Sequence, residues 1–125
     1  MVVQEGLLYS KSHEWVKVEG NVAWIGISDH AQHALGSVVF IELPKVGQTF
    51  KKGDTLSAVE SVKAASDVYT PISGKVIDVN QALDGAPEML NDDPYGSWIA
   101  KLEMSDTSEL NALLQAKDYE PLCED

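Results

Sequence analysis

The sequence predicts a mainly β protein: a flattened barrel or sandwich of two antiparallel sheets, with a short helix in the N-terminal half and a C-terminal helix. Three observations lead there. Short segments of period-two alternation recur along the chain, and clusters of Gly, Pro, Asn, Asp and Ser punctuate them at the close spacing of β-sandwiches. Helical i, i+3, i+4 apolar spacing shows clearly in only two places. With 125 residues, the chain has room for one core, so residues 1–125 read as a single domain.

Residues 1–8 read as a loosely held terminus. Tyr9 to Trp15 leads into a strand at Val16-Lys17-Val18. Glu19-Gly20-Asn21 is a tight turn, because Gly and Asn accept positive φ at low cost, and Val22 to Ile27 returns as a strand. Ser28 or Asp29 caps a short helix that runs to about Leu35, with Gly36 as its stop. Ala31, Ala34 and Leu35 form its packed face. Val38 to Leu43 is strongly β-forming and Pro44 ends it. Val46 to Phe50 connects into another short strand, and Lys51 to Asp54 is a turn.

Leu56–Glu60 and Ala65–Tyr69 then alternate on either side of Ser61-Val62-Lys63-Ala64, the pattern of a β-hairpin with Lys63 at its tip. Thr70 to Gly74 is a turn. Lys75 to Val79 is a strand with Val76 and Asp78 on one face and Lys75, Ile77 and Val79 on the other. Residues 80–97 form a long irregular connection, of a kind often functional in compact domains, with Pro87 to Leu90 as one helical turn. Ser97 to Met104 is the last strand. Asp106 to Glu109 resembles a capping box, and Leu110, Leu113 and Leu114 supply the stripe of the C-terminal helix. Tyr119 to Asp125 is an acidic tail with one further helical turn. The total is seven to nine strands, balanced about Lys63, which suits two facing sheets with the hairpin crossing at one end.

The net charge is −11 and all 9 basic residues are lysine. That composition excludes a nucleic-acid role, which rests on phosphate contacts and arginine readout, and an anionic membrane surface. It favours protein partners with basic patches. The single cysteine, Cys123, cannot form an internal disulfide and reads as an incidental tail thiol. The N-terminal stretch lacks a secretory or transit pattern, so the expected location is the cytoplasm, or the mitochondrial matrix for a mature form.

Lys63 is the residue with chemistry in view. A lone lysine at a turn is most simply a solubility or edge-blocking residue. A ligase, however, needs a reachable amine on a rigid two-stranded support, and the small neighbours Ser61, Ala64 and Ala65 leave room for an enzyme to close over the tip. His30 and His33 stand at i, i+3 without a third metal ligand and read as a solvated face. Asp84, Glu88, Asp92 and Asp93 lack calcium-loop spacing and read as turn residues. No catalytic triad, phosphate-binding glycine loop or H-E-x-x-H motif is present, and Trp15, Trp24 and Trp98 read as core or rim. The chain does not read as an enzyme.

Glu60-Ser61-Val62-Lys63-Ala64, followed by Pro71-x-Ser73-Gly74, resembles the lipoyl-attachment hairpin of the glycine cleavage system H proteins. The similarity extends to Ser12 to Val16, Ile25 to Gln32, Leu35-Gly36, Val39 to Pro44 and Asn91 to Gly96, and covers about residues 7 to 123. The resemblance implies the lipoyl/biotinyl type of fold and lipoate in amide linkage on Lys63, with Glu60 and Gly74 at positions that help a lipoate ligase or lipoyltransferase. It implies a monomeric carrier serving a pyridoxal-phosphate glycine decarboxylase, a tetrahydrofolate-dependent aminomethyltransferase and an FAD-containing dihydrolipoamide dehydrogenase. It also implies a groove in which the loaded arm rests away from water, at Ser12, Glu14, Ile27, Leu35, Ala64 and Asp67, with Glu14 or Asp67 accepting a hydrogen bond from the charged amine. This chain departs from the family pattern at Ala34, where some members have histidine. It departs also at Ser37, where an acidic residue is common, and in a connection one residue shorter before Trp98. The alternatives are an H-like lipoate relay or regulator, and a biotinyl or lipoyl carrier domain of another complex; Val62 and Ala64 stand where biotin sites favour methionine.

Overall fold

The computed structural model describes residues 1–123. Ten strands form two antiparallel sheets: β1 (Leu8–Tyr9), β2 (Glu14–Glu19), β3 (Val22–Ile27), β4 (Val38–Glu42), β5 (Thr49–Phe50), β6 (Thr55–Ser61), β7 (Ala65–Tyr69), β8 (Gly74–Val79), β9 (Ala100–Met104) and β10 (Leu114–Gln115). The larger sheet has the order β10-β1-β2-β3-β9-β8-β5 and the smaller β4-β6-β7. Ten strands exceed the seven to nine expected; six precede Lys63 and four follow it, and they divide into unequal sheets of seven and three. Four short helices join them: α1 (Asp29–Leu35), α2 (Ala82–Gly85), α3 (Met89–Asp92) and α4 (Ala116–Tyr119), with 3₁₀ turns at Thr107–Ala112 and Glu120–Cys123. No helix among the described residues is long and apolar enough to cross a membrane.

The main core lies where the sheets face each other, built on Val16, Ile25, Ile41, Val59, Val68, Ile72, Val76 and Leu102, all nearly or fully buried. Strand alternation delivers most of these. At β8 it does not. The β8–β9 pairing slips between Val76 and Asp78, so Ile77 is an extra residue that faces solvent at 40 % exposure while Val76 and Val79 both reach the core. One bulge thus splits Ile77 from Val79, which uniform alternation assigns to one face, and exchanges the faces of Asp78 and Val79.

Both ends of the chain are more tightly held than composition implies. Leu7 is buried, the Val2 N–H donates to Asp29 Oδ2 (2.8 Å), and the Tyr95 hydroxyl donates to the Val2 carbonyl (2.6 Å). The stretch Thr107–Ala112 is a 3₁₀ turn opened by Asp106, whose carboxylate accepts from the Ser108 N–H, and Leu114 pairs with Tyr9 in β10–β1. The C-terminal helix therefore lies further on, at α4, and Leu110, Leu113 and Leu114 are not its stripe. Tertiary packing overrides the weak local preference of these residues. A second core gathers Leu7, Tyr9, Trp15, Tyr119 and Cys123, so the cysteine is a packed residue rather than a tail thiol. The helical turn expected in the acidic tail is found at Glu120–Cys123, and residues 124–125 lie outside the described residues.

Candidate functional site

Lys63 stands at the tip of the β6–β7 hairpin, where Glu60 pairs with Ala65 and Ala58 with Asp67. Ser61 organises the turn. Its Oγ accepts the backbone N–H of Ala64 (3.0 Å) and of Lys63 (3.3 Å), and its own N–H donates to the Ala64 carbonyl (2.8 Å). The Val62 N–H leaves the hairpin and donates to the Ser37 carbonyl (3.0 Å), which ties the tip to the α1–β4 junction. The lysine side chain is exposed and lies across Gly36. A Cβ at that position would sit 3.1 Å from Lys63 Cε, and Gly36 holds φ 80°, a left-handed conformation that glycine accepts cheaply. Gly36 thus ends α1 and leaves a track for the lysine stem.

Beside the tip runs a groove of about 350 Å³ between α1, the start of β2 and β7. Ser12, Glu14, Ile27, Leu35, Ala64 and Asp67 all line it, together with His13, His30, Ala31, Ala34, Ala65, Ser66 and Val68. Glu60 and Gly74, the two residues named with Lys63 for the ligase, do not line this groove. Glu60 is on the outward face of the hairpin, opposite Phe40 and Ala65. Gly74 begins β8 in the other sheet, opposite Phe50 and Met104, where a Cβ would collide with the Glu103 carbonyl. Close backbone packing is therefore a sufficient reason for glycine there.

Glu14 is the electrostatic centre of the groove. It is 2 % exposed, and burial raises its carboxyl above the usual range, against the hydrogen bonds that favour the ionised form. Oε1 accepts from the Ser10 hydroxyl (2.6 Å) and the Ser12 hydroxyl (2.5 Å), while Oε2 accepts from the Tyr69 N–H (3.3 Å). His13 and His30 lie against each other at the same wall, ring centroids 4.4 Å apart and planes tilted by 35°. Burial, and then the neighbouring His30, lower the His13 pKa. His13 Nδ1 lies 2.6 Å from the Tyr119 hydroxyl, which lies 2.7 Å from Ser28 Oγ, and Ser28 in turn caps α1 by accepting from the Ala31 N–H. His33 is exposed as expected, but His30 packs into the groove wall rather than into solvent.

The sequence reading missed His13, His30, Tyr119 and Asn91. The alternation around Ser12-His13-Glu14 assigns His13 to the face opposite its neighbours. His13 has φ 74°, the one non-glycine residue with positive φ among the described residues, and this break in the alternation lets all three line the groove. Asn91, from α3, braces the junction below the tip. Its Oδ1 accepts from the Val38 N–H (2.8 Å), and its Nδ2 donates to Gln32 Oε1 and the Gly36 carbonyl (both 2.9 Å). Among the described residues no group of three or more potential metal ligands converges.

The family described as glycine cleavage H-protein matches residues 7–125. The chain is similar to the glycine cleavage system H protein of Alkaliphilus oremlandii, 62 % identical over 119 residues that cover 95 % of this chain and 94 % of that one. The H protein of Clostridium botulinum (strain Hall) is 54 % identical over 125 residues, covering 100 % of this chain and 96 % of its own length. Among solved structures, a glycine cleavage system H protein from Mycobacterium marinum superposes with TM-score 0.87 at 33 % identity, covering 95 % of this chain and 97 % of that one. With the family model matching residues 7–125 and the fold in agreement over 95 % of the chain, this chain belongs to the glycine cleavage H-protein family.

Proposed function

We propose that the chain is the lipoyl carrier of the glycine cleavage system. It receives lipoate on Lys63 from a lipoate ligase or lipoyltransferase. It shuttles the aminomethyl group of glycine from the pyridoxal-phosphate decarboxylase to the tetrahydrofolate-dependent aminomethyltransferase, and is then reoxidised by the FAD-containing dihydrolipoamide dehydrogenase. It catalyses none of these steps, and acts as a single monomeric domain in the cytoplasm, in keeping with its similarity to bacterial proteins. The observation that carries this reading is the exposed Lys63 on a hydrogen-bonded turn, adjoining through Ala64 a groove that holds a buried carboxylate.

The residues present fit the group. Gly36 leaves open the track that the lysine stem follows, and Ile27, Ala31, Ala34, Leu35 and Val68 offer an apolar bed to an aliphatic chain. Lipoate, when bound, supplies a redox-active dithiolane at the end of a long flexible arm. The rest belongs to the protein. Glu14, deprived of water and directed by Ser10 and Ser12, offers a charge-assisted partner to a cationic amine entering the groove, with Asp67 at the exposed lip. The pairing offsets the desolvation that raises the Glu14 carboxyl, and the apolar wall excludes water from a hydrolysable group. The test is intact mass after co-expression with a lipoate ligase. A single lipoyl adduct is expected on the wild type and none on Lys63→Arg. Absence on the wild type, or persistence on the variant, overturns the proposal.

A further inference from the structure

We infer that the outer face of the three-stranded sheet, centred on Val39, Phe40 and Val62, is the dock for the enzyme that acylates Lys63. The inference rests on Lys63 being the lipoyl acceptor and adds the surface by which that acceptor is seized. Its starting point is an irregularity in β4. The β4–β6 register runs Ile41↔Val59 and Phe40↔Glu60, then jumps to Val38↔Ser61, so Val39 is an extra residue. Uniform alternation would expose one of Val39 and Phe40. The bulge exposes both, at 55 % and 49 %, and Val62, which follows Ser61 opposite Val38, is exposed at 71 %. Exposed apolar side chains gathered at one place on an acidic, soluble chain mark an interaction surface.

The register defines the rest of the face. Phe40, Glu60 and Ala65 form one row across the three strands, and Glu42, Ala58 and Asp67 the next. Ala58 and Ala65 keep the centre low, while the three carboxylates stand around it. Across Val38–Glu42 and Thr55–Tyr69 the only basic residue is Lys63. The complementary partner surface is an apolar depression rimmed by lysine and arginine.

The chemistry at the tip says which partner this is. Acylation takes place at Nζ itself. The neutral amine attacks the acyl carbon of lipoate activated by ATP as an acyl–phosphate anhydride; the amide C–N bond forms, the acyl–oxygen bond breaks, the nucleoside monophosphate leaves and the amine proton passes to water. An enzyme performing that step must close on the hairpin stem within one side-chain length of the turn. A partner that acts at the far end of a long arm has no such need to touch the stem. The tip is prepared for such closure, held by Ser61 inside the turn and by the Val62 N–H on Ser37.

The experiment follows lipoylation of the purified chain by a lipoate ligase with lipoate and MgATP, using intact mass to obtain initial rates over a range of carrier concentration. The double variant Val39→Ser/Phe40→Ser is expected to raise KM about tenfold with little change in kcat, and Val62→Ser to raise it in the same direction. Val46→Ser, at a 61 % exposed valine outside this face, leaves both parameters unchanged. Double variant driven to full lipoylation should be turned over by dihydrolipoamide dehydrogenase at the wild-type rate. An unchanged KM in the double variant and Val62→Ser overturns the dock while leaving Lys63 as acceptor. A loss confined to the dehydrogenase step overturns it too, and gives the face to an arm-using partner. No adduct on the wild type removes the acceptor reading itself.

Discussion

Glu14 combines near-complete burial with two hydroxyl donors, and the pH dependence of that combination can be worked out. Burial places its folded pKa above the unfolded value. The stability it contributes is therefore whole below the ordinary carboxyl range and is lost as pH rises through the raised folded value. At neutral pH the native state carries the charge at a cost. Glu14→Gln keeps an oxygen for the Ser10 and Ser12 hydroxyls and removes the charge, at the cost of the long hydrogen bond from the Tyr69 N–H, which the amide nitrogen cannot accept. Its Tm should exceed that of the wild type at about pH 8, with the gap closing as the pH is lowered through the carboxyl range. The same substitution removes the partner proposed for the cationic amine, so lipoylated and loaded carrier should release ammonia about tenfold faster in water. Unchanged release would remove Glu14 from that role, whatever the Tm shows. Stability and function would then be separated at one residue.

Among the elements, the α1–β4 junction matters most, because the lysine stem crosses it and the turn hooks onto it. Its geometry depends on Asn91, from a connection whose local sequence looks irregular. Truncation to Asn91→Ala leaves the Val38 N–H and the Gly36 carbonyl without their partner. The expected cost is about 2 kcal/mol, read as a lower urea midpoint with unchanged slope. An unchanged midpoint would mean that water replaces the side chain. The hairpin stem was legible in the sequence because its residues alternate on both sides of a short break. The faces of β4 and β8 were less so, since a bulge adds one residue that periodicity cannot locate. The C-terminal stripe of leucines was misleading for a related reason: Leu114 finds its partner on β1, and pairing with a distant strand outweighs helical spacing.

Over the whole molecule, a second core draws the two ends of the chain together behind the groove. Tyr119 stacks on Tyr9 with ring centroids 4.3 Å apart, while its hydroxyl meets His13 and Ser28. Tyr119→Phe keeps the stack and removes only the hydroxyl, leaving buried polar groups short of a partner. A loss of about 1–3 kcal/mol in denaturant unfolding is expected, and a loss near zero would show that His13 and Ser28 satisfy one another. The six groove residues named from family resemblance do converge on one groove, but that resemblance carried them; periodicity alone would have found none. His13 and Tyr119 are 106 positions apart, and no local pattern announces a contact of that span. The turn at Lys63 has a last consequence. Because Ser61 and Ser37 fix it beside the groove, an arm attached there samples the groove at an effective concentration on the order of millimolar or more. Weak intrinsic affinity is then enough to keep the groove filled, and it is also what allows a partner's active site to win the arm away.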